Sequence, residues 1–506
     1  MYKNSPNIFY IHLATIIRQS LIHGVLPNTV LLCTLMPLVK DNFGDITKSE
    51  NYRAIAGSCL ILKVLDLIVL KVDGSKLSTD ALQFAYKANT GTATCTWTVN
   101  ALVDRFTRNG KQVYGSAMDM SKAFDMVKWD VLFDTLLDRG INPLFIRLLL
   151  YVYKNQQYTV KWGNSLAPFF SVSNGVRQGG VSSGVFFVVY IDMLLTILRN
   201  SGFGCTILGV FYGAVIYADD IFLLSASRTG LQVMINLCQK FAERINLKFG
   251  TNANPDKSKT KCIAFSRKQS RVVLDELKLG EHSLPWVSQI KHLGHTLQTD
   301  NSMTIDMNHK RGIFIGKVNS LMQEFHYAAP HVLLRLVHSY ACNLYGSNTW
   351  DIFSNECQKI CTSYNVAVRN IYNLPRRTHR YLLESLTDLP HLYVQLLSRY
   401  VTFSKALLSN DALEIRFLAS LSVRDMRTVL GRTIAKIADL CGQSSDVSTF
   451  NAKVVKKNLK YMALPENEAW RVGVVKDMMD ILNSDSQAMG IHVDEARIIL
   501  EYACVS

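Results

Sequence analysis

The stretch 211-FYGAVIYADDIFLLSAS-227 decides how this chain folds. An apolar run climbs to Tyr217, the carboxylates Asp219 and Asp220 follow, and a second apolar run leaves. Two apolar runs around a short break predict a β-hairpin. Two adjacent like charges at its tip are costly to bury unless a cation sits beside them. An isolated pair of aspartates is ordinarily a solvated turn, so the question is whether other groups converge on it.

A third carboxylate stands 100 residues earlier. The segment 111-KQVYGSAMD-119 is rich in β-formers and small residues, which predicts a strand ending at Asp119. If this strand and the hairpin share a sheet, Asp119, Asp219 and Asp220 meet. Converging hard oxygen ligands suit Mg²⁺, which keeps part of its shell for water and phosphate oxygens. Two such ions ~3.5–4 Å apart can hold an attacking hydroxyl and a leaving phosphate oxygen in line. That is the chemistry of nucleotide addition.

The whole chain is compatible with that partner class. It has 506 residues, 48% hydrophobic and 19% charged, with a formal net charge of +15. This length implies two to four domains with sizeable cores, not wholesale disorder. The basic excess suits nucleic acid or an acidic surface, and equally a basic protein without special partners. Eleven scattered cysteines argue against a secreted disulfide scaffold and for a reducing compartment. Cys357 and Cys361, one helical turn apart, are expected in a core. No run of ~18 uncharged apolar residues marks a membrane span, and "VLLCTLMPLV" (30–39) covers only about half a bilayer.

Along the chain, residues 1–112 read as short helices and loops. The segment 120–140 reads as helical, with Leu132, Phe133, Leu136 and Leu137 on one face and Gly140 as its C-terminal cap. "YTVKWGNSLAPFFSVSNG" (158–175) reads as a hairpin, and "VSSGVFFVVYIDMLLTILRN" (181–200) as one buried helix. An amphipathic helix (229–249), a strand "TKCIAFS" and a strand pair "QIKHLGHTLQ" follow. Helices dominate from about residue 301, and "CGQSSDVSTFNA" (441–452) reads as a polar linker.

Further chemistry-bearing segments appear in a definite order. "PLVKDNFGDITKSENYRA" places Lys40 and Arg53 on a glycine-bearing loop suited to polyphosphate. "NGVRQGGVSSG" (174–184) packs glycines around Arg177 and Gln178, which lets a backbone approach a ligand closely. Singly, either is a solvated loop.

Together the segments resemble the reverse transcriptase of a non-LTR (LINE-type) retrotransposon, from about residue 20 to about 405 and more weakly to about 440. "AMDMSKAFDMV" resembles the first catalytic motif, "NGVRQGGV" the template-gripping motif and "YADD" the metal-binding hairpin. "NLKFGTNANPDKSKTKCIAF" resembles the lysine-bearing motif, "QIKHLGHTL" the primer grip and "LMPLVKDNFGDITKSENYRAIAG" the fingers. "LYGSNTW" and "VRNIYNLPRRTHRYLLESL" resemble the helical thumb and connecting region.

The resemblance implies an α+β right-hand polymerase: fingers in 1–112, a palm with an antiparallel sheet in 113–300, a helical thumb in 301–410 and a helical C-terminal extension in 411–506. It implies an RNA-directed DNA polymerase that extends a DNA primer with dNTPs on an RNA template, using two Mg²⁺ ions for which Mn²⁺ can substitute. Asp119, Asp219 and Asp220 then hold the metals, near the Met120 carbonyl. Phe124 is the aromatic gate against a ribose 2′-hydroxyl, and Lys40 and Arg53 contact the triphosphate. Arg177, Gln178 and Gly179 form the template and nucleotide pocket. Lys259 is the motif lysine, with Lys257 as runner-up, and Leu293 and Gly294 form the primer grip. A nuclear location follows from the resemblance alone, and no membrane partner is expected because no apolar run is long enough to span one. The upstream endonuclease domain and a zinc knuckle are expected to be missing.

Two segments depart from the family pattern. Ser182, Ser183 and Gly184 stand where Leu-Ser-Pro is usual, and Ala54 replaces a usual proline. These departures keep open a catalytically silent nucleic-acid-binding remnant. An RNA-templated RNA polymerase is the other alternative, against which Phe124 speaks. The basic cluster Arg376, Arg377 and Arg380 is expected to meet a phosphate backbone or merely to solvate a loop.

Overall fold

The computed structural model describes residues 6–252, 254, 258–267, 275–387 and 391–440. The chain divides into two compact units, one of Met1–Cys95 and Phe106–Ile290, the other of Thr96–Arg105 and Lys291–Ser506. The expected linker at 441–452 and Lys257 lie outside the described residues.

Helix α1 (Asn7–His23) opens the first unit. Strands β1 (Leu32–Val39) and β2 (Tyr52–Ser58) then pair antiparallel, with Leu38 opposite Arg53. The expectation of helices and loops before residue 112 is corrected here. The run "VLLCTLMPLV" is largely a β-strand, held by its pairing with β2 and with Cys33 buried against Ala56 and Tyr158, while Leu32, Met36, Leu38 and Val39 stay exposed. Helices α2 (Leu60–Asp73) and α3 (Thr92–Arg108) follow, the second of them shared between the units.

Strand β3 (Val113–Asp119) is central to a second sheet. Helices α4 (Trp129–Asp138) and α5 (Pro143–Asn155) come next, then β4 (Gln157–Trp162) and β5 (Ser165–Leu166), which complete the first sheet in the order β2-β1-β4-β5. In α4, Leu132, Phe133 and Leu136 are buried as expected, but Leu137 is exposed. Only three of the four positions fall on the arc that meets the core.

The apolar stretch after residue 181 forms α6 (Ser183–Ile191) and α7 (Met193–Asn200), joined through a helical Asp192. By length and composition Ser183–Asn200 could cross a membrane, yet 61% of it is buried inside the protein. Asp192 explains its placement: one oxygen receives Arg139 Nη2 at 2.6 Å and the other the Asp80 N–H at 2.8 Å.

Short β6 (Thr206–Ile207) and β7 (Val210–Phe211) precede the predicted hairpin, β8 (Ala214–Tyr217) and β9 (Asp220–Ser225). Helix α8 (Arg228–Arg244), capped by the Ser227 hydroxyl, packs on β9 and β3. Strand β10 (Lys261–Phe265) completes a four-stranded sheet ordered β10-β3-β9-β8, antiparallel throughout. Gly115 in β3 sits where a methyl would crowd the rings of Phe222 and Phe265, so glycine lets the central strands close on their aromatic filling. Hairpins β11 (Leu277–Leu279)–β12 (His282–Leu284) and β13 (Gln289–His292)–β14 (His295–Gln298) lead onward.

From Thr304 the described residues of the second unit are mainly helical, as expected: α9 (Thr304–Glu324), α10 (Pro330–Tyr340), α11 (Asn355–Ile371), α12 (Arg380–Thr387), α13 (Leu392–Leu408), α14 (Leu413–Arg424) and α15 (Val429–Leu440). Cys357 and Cys361 are both buried on α11. Mixed sheets and helices make the chain α+β.

Candidate active site

The antiparallel register of β3 and β9 sets Asp119 directly opposite Asp220. The β8–β9 hairpin turns through Ala218 and Asp219, with Tyr217 opposite Asp220. Ala218 has a φ of +54°, a conformation that favours glycine in a two-residue hairpin turn. A brace holds it there. Gln83 bridges Ile216 in parallel along the free edge of β8, and Gln83 Oε1 accepts the Ala218 N–H at 3.0 Å. Flanking backbone bonds, Phe84 N–H to Ile216 O and Ile216 N–H to Leu82 O, fix the same edge.

The three aspartates form a site short of positive charge. Burial, then Asp219, then Asp119 push the Asp220 carboxyl up to about 6. Burial raises Asp219 as well. Its own backbone N–H offsets part of that, the Asp119 charge adds to it, and Arg53 and Lys259 oppose it. Lys259 Nζ stands 3.4 Å from Asp119 Oδ2, an oxygen out of water that accepts no hydrogen bond. Gly250 leaves the room: a methyl there would lie 3.2 Å from that oxygen. Among the described residues, no three His, Cys, Asp or Glu side chains are placed to hold a metal ion together, so Asp119, Asp219 and Asp220 do not form a ready-made ligand set. The aspartates repel one another, and Lys259 holds one oxygen of Asp119. The raised proton affinities of Asp219 and Asp220, beside an Asp119 oxygen to which Lys259 makes no hydrogen bond, fit a divalent cation at this place.

Asp119 is followed by Met120, which bridges Phe249, and by Phe124, whose ring stacks on Phe187 with centroids 4.7 Å apart and an 18° tilt. Phe124 remains partly exposed five residues after Asp119. The glycine-rich loop 174–180 binds that segment on one side. Val176 N–H donates to Phe124 O and Gly175 N–H to Val127 O, both at 2.8 Å. Gly175 has a φ of +89°, and a methyl there would meet the Phe124–Asp125 backbone. On its other side the loop binds β2, with Ala56 N–H donating to Gln178 O at 2.7 Å. Gly179 has a φ of +104°, and a methyl there would lie 3.2 Å from Ala56 O. Gln178 Nε2 donates to Asp125 Oδ1 at 3.1 Å.

Arg177 corrects an expectation. Its side chain is 2% exposed and grips both oxygens of Asp66, at 3.2 and 3.3 Å, over the ring of Tyr153. A guanidinium so buried and paired braces the loop from beneath and does not line a nucleotide pocket. Arg53 is exposed on β2, in the field of Asp219. Lys40 is exposed too, and its ammonium donates to Glu50 O at 2.7 Å across the base of its own loop.

In the second unit, Leu293 and Gly294 occupy the turn after β13, with φ of +46° and +76°. Tyr345 donates its hydroxyl to Leu293 O at 3.1 Å, and Lys310 Nζ donates to Gly294 O at 2.8 Å. Two side chains thus clamp a strained turn.

Gln83 and Asp66, which brace the hairpin and the glycine-rich loop, were not legible from the sequence. The run "LQFAYK" carries no chemical signature, and its importance comes only from lying along β8.

The sequence profile of the reverse transcriptase (RNA-dependent DNA polymerase) family matches residues 41–297. Among curated proteins, the chain is 25% identical over 276 residues to the Pol polyprotein of the type-2 retrotransposable element R2DM of Drosophila melanogaster, which covers 54% of this chain and 25% of that protein. It is 26% identical over 253 residues to that of the element R2 of Nasonia vitripennis, 49% of this chain and 23% of that one. It is 23% identical over 369 residues to that of the element R1 of Bradysia coprophila, 68% and 34%. The chain spans 23% to 34% of the length of these relatives. Among solved structures, apo telomerase from Candida tropicalis aligns with a TM-score of 0.42 at 10% identity, covering 90% of this chain and 74% of that one.

Proposed function

Since the chain belongs to the reverse transcriptase (RNA-dependent DNA polymerase) family, we propose that it extends a DNA primer on an RNA template with dNTPs, as part of a non-LTR retrotransposon machinery. One observation carries the reading: Asp119 and Asp220 face each other across a ladder whose hairpin tip is Asp219, with basic Lys259 and Arg53 in the same field. A cluster of under-compensated carboxylates at a sheet's end needs a cation, and the family's chemistry supplies one.

Asp119, Asp219 and Asp220 would hold Mg²⁺, with Mn²⁺ as a substitute. When bound, such ions stabilise the attacking and departing oxygens of phosphoryl transfer. The protein's own groups do the rest by positioning and charge. Arg53 meets the triphosphate of the incoming nucleotide. The backbone of Gln178 and Gly179, tied to Ala56, forms a floor that a nucleotide can approach closely. Phe124, steadied by Phe187 behind it, excludes a 2′-hydroxyl by clash and selects dNTPs. The displaced pyrophosphate leaves past Arg53 and Lys40.

Primer extension tests this. A DNA primer annealed to RNA should grow with dNTPs and Mg²⁺, and hardly at all with NTPs. Growth with NTPs alone would favour an RNA polymerase. Absence of growth, with template–primer binding retained, would favour a silent remnant.

A further inference from the structure

Tyr86 belongs to none of the motifs that define the site, yet it follows the Leu82–Phe84 segment that runs along β8, the strand leading to Asp219, in an unusual state. It comes two residues beyond the backbone bond of Phe84 to Ile216. Its φ is +58°, a conformation few non-glycine residues adopt and one that points to a functional constraint. Its ring lies on Gly184: a methyl built at that glycine would fall onto Cε1, Cζ and Cδ1 of the tyrosine. The residue is nonetheless 57% exposed. Its hydroxyl lies in the field of Asp219 and Tyr217, which add to burial in raising its pKa.

We propose that Tyr86 is a substrate-contacting residue whose ring packs against the terminal base pair of the template–primer duplex, and that Gly184 is glycine in order to seat it. This rests on the polymerase reading above. The argument is spatial. A primer 3′-hydroxyl that reaches Asp119, Asp219 and Asp220 brings its own nucleotide over the hairpin tip. An aromatic ring beside Asp219, with one side on a glycine and the other open to water, is then the surface that nucleotide meets. Base–aromatic contact tolerates any sequence, which a general polymerase requires. The serine-serine-glycine departure from Leu-Ser-Pro gains a physical reason: a proline ring at 184 and the Tyr86 ring would claim the same volume.

The alternative is that Tyr86 merely plugs a gap above Gly184. A plug acts through folding, so its loss would ignore the identity of the primer end. The test uses an RNA template and DNA primers ending in a normal nucleotide, an abasic nucleotide that retains its 3′-hydroxyl, or 2-aminopurine. Tyr86→Ala should lower single-turnover extension of the normal end roughly tenfold, within the range of a lost base–aromatic contact. Tyr86→Phe should stay close to wild type, because the ring and not the hydroxyl makes the contact. With the abasic end, wild type and Tyr86→Ala should become alike. Gly184→Ala should impair the wild type but add little in the Tyr86→Ala background. At equilibrium, without nucleotides, binding should quench terminal 2-aminopurine in the wild type and not in Tyr86→Ala.

An equal loss on normal and abasic ends, or quenching that survives Tyr86→Ala, overturns the inference. The quenching needs no catalysis, so it separates the two claims: quenching by a wild-type protein that extends nothing would sink the polymerase reading while leaving the contact intact.

Discussion

Asp119 and Asp220 are register partners across β3 and β9, so two carboxylates from strands a hundred residues apart in sequence share one rung. The ladder forces this proximity, and the resulting repulsion is part of what raises Asp220 to about 6. Replacing a repelling carboxylate by its amide should therefore not harm folding. Asp220→Asn is expected to keep or raise the melting temperature and to lower extension by at least roughly a hundredfold, in line with removal of one electrostatic contact to a transition state. Mg²⁺ should raise the melting temperature of the wild type by linkage and leave the variant nearly unmoved. Equal Mg²⁺ stabilisation of both proteins would argue against a metal site here.

Phe124 is held by two things: the Phe187 ring behind it and the Val176 N–H on its carbonyl. Backbone placement should survive truncation of the ring. Phe124→Ala is predicted to raise kcat/KM for NTPs relative to dNTPs, because removal of a clash helps the wrong substrate more than it harms the right one. A core role predicts another outcome, a lower melting temperature with both substrates impaired in equal measure.

The Arg177–Asp66 pair sits beneath the glycine-rich loop, with Arg177 also over Tyr153. Removal of one partner leaves a buried unpaired charge, at a cost of about 3–5 kcal/mol. Arg177→Met should accordingly lower the denaturation midpoint, and Asp66→Leu added to it should recover much of the loss. The loop's bond to Ala56 runs through Gln178 O, so dNTP affinity should fall in the single variant and return in the double. Loss of dNTP affinity without loss of stability would point to a direct nucleotide contact by Arg177.

The second unit carries a pH-dependent element. His391 Nδ1 accepts the Tyr393 N–H at 3.1 Å and its Nε2 meets Asn365 Oδ1 at 2.8 Å, an arrangement that suits a neutral ring with its proton on Nε2. Burial, helped by the charge of Arg380, pushes its pKa down to about 4. Unfolding returns it to about 6.5, so the unfolded chain binds the extra proton first. The stability held by His391 is complete above about pH 6.5 and drains away as pH falls through about 4. His292, pushed down to about 3 by burial and by His295, acts in the same direction. The midpoint of chemical denaturation should fall between pH 7 and 4, and less steeply in His391→Gln; parallel slopes would refute this assignment.

The four-stranded sheet and its hairpin were legible because apolar strands, small residues and acidic ends are local signals. Asp119, Asp219, Asp220, Phe124 and the strand pair around Leu293 and Gly294 all fell in such segments. Three features were hidden because they depend on what folding brings near. Strand β1 hid behind an apolar run with only one deeply buried neighbour pattern, and its partner β2 lies beyond a loop. Arg177 looked like a ligand-gripping cation because Asp66, its partner, lies 111 residues away on α2. Gln83 and Tyr86 carried no pattern at all, since their setting is made by an edge contact with β8.

Arg53 and the cluster Arg376, Arg377 and Arg380 are basic and exposed, yet they should do different work. Arg53 lies on β2 within the field of Asp219, where a triphosphate's charge is concentrated and redistributes during transfer. Charge-assisted contacts there strengthen toward the transition state, so Arg53→Ala should lower kcat/KM for dNTP by at least tenfold. Arg376 and Arg377 stand on the loop before α12, where Arg369 fixes the chain through two bonds to Thr378 O and leaves the two arginines outward. Two cations on a rigid loop suit a phosphate backbone, which they would hold without regard to sequence. Each lost contact should flatten the slope of log affinity against log salt by roughly one unit. The double variant Arg376→Ala/Arg377→Ala should therefore bind template–primer more weakly, show a shallower salt slope and fall off sooner during extension, while its KM for a single dNTP stays near wild type. An unchanged affinity and slope at two salt concentrations would return both arginines to ordinary surface, because a contact that releases no counterions is not a phosphate contact.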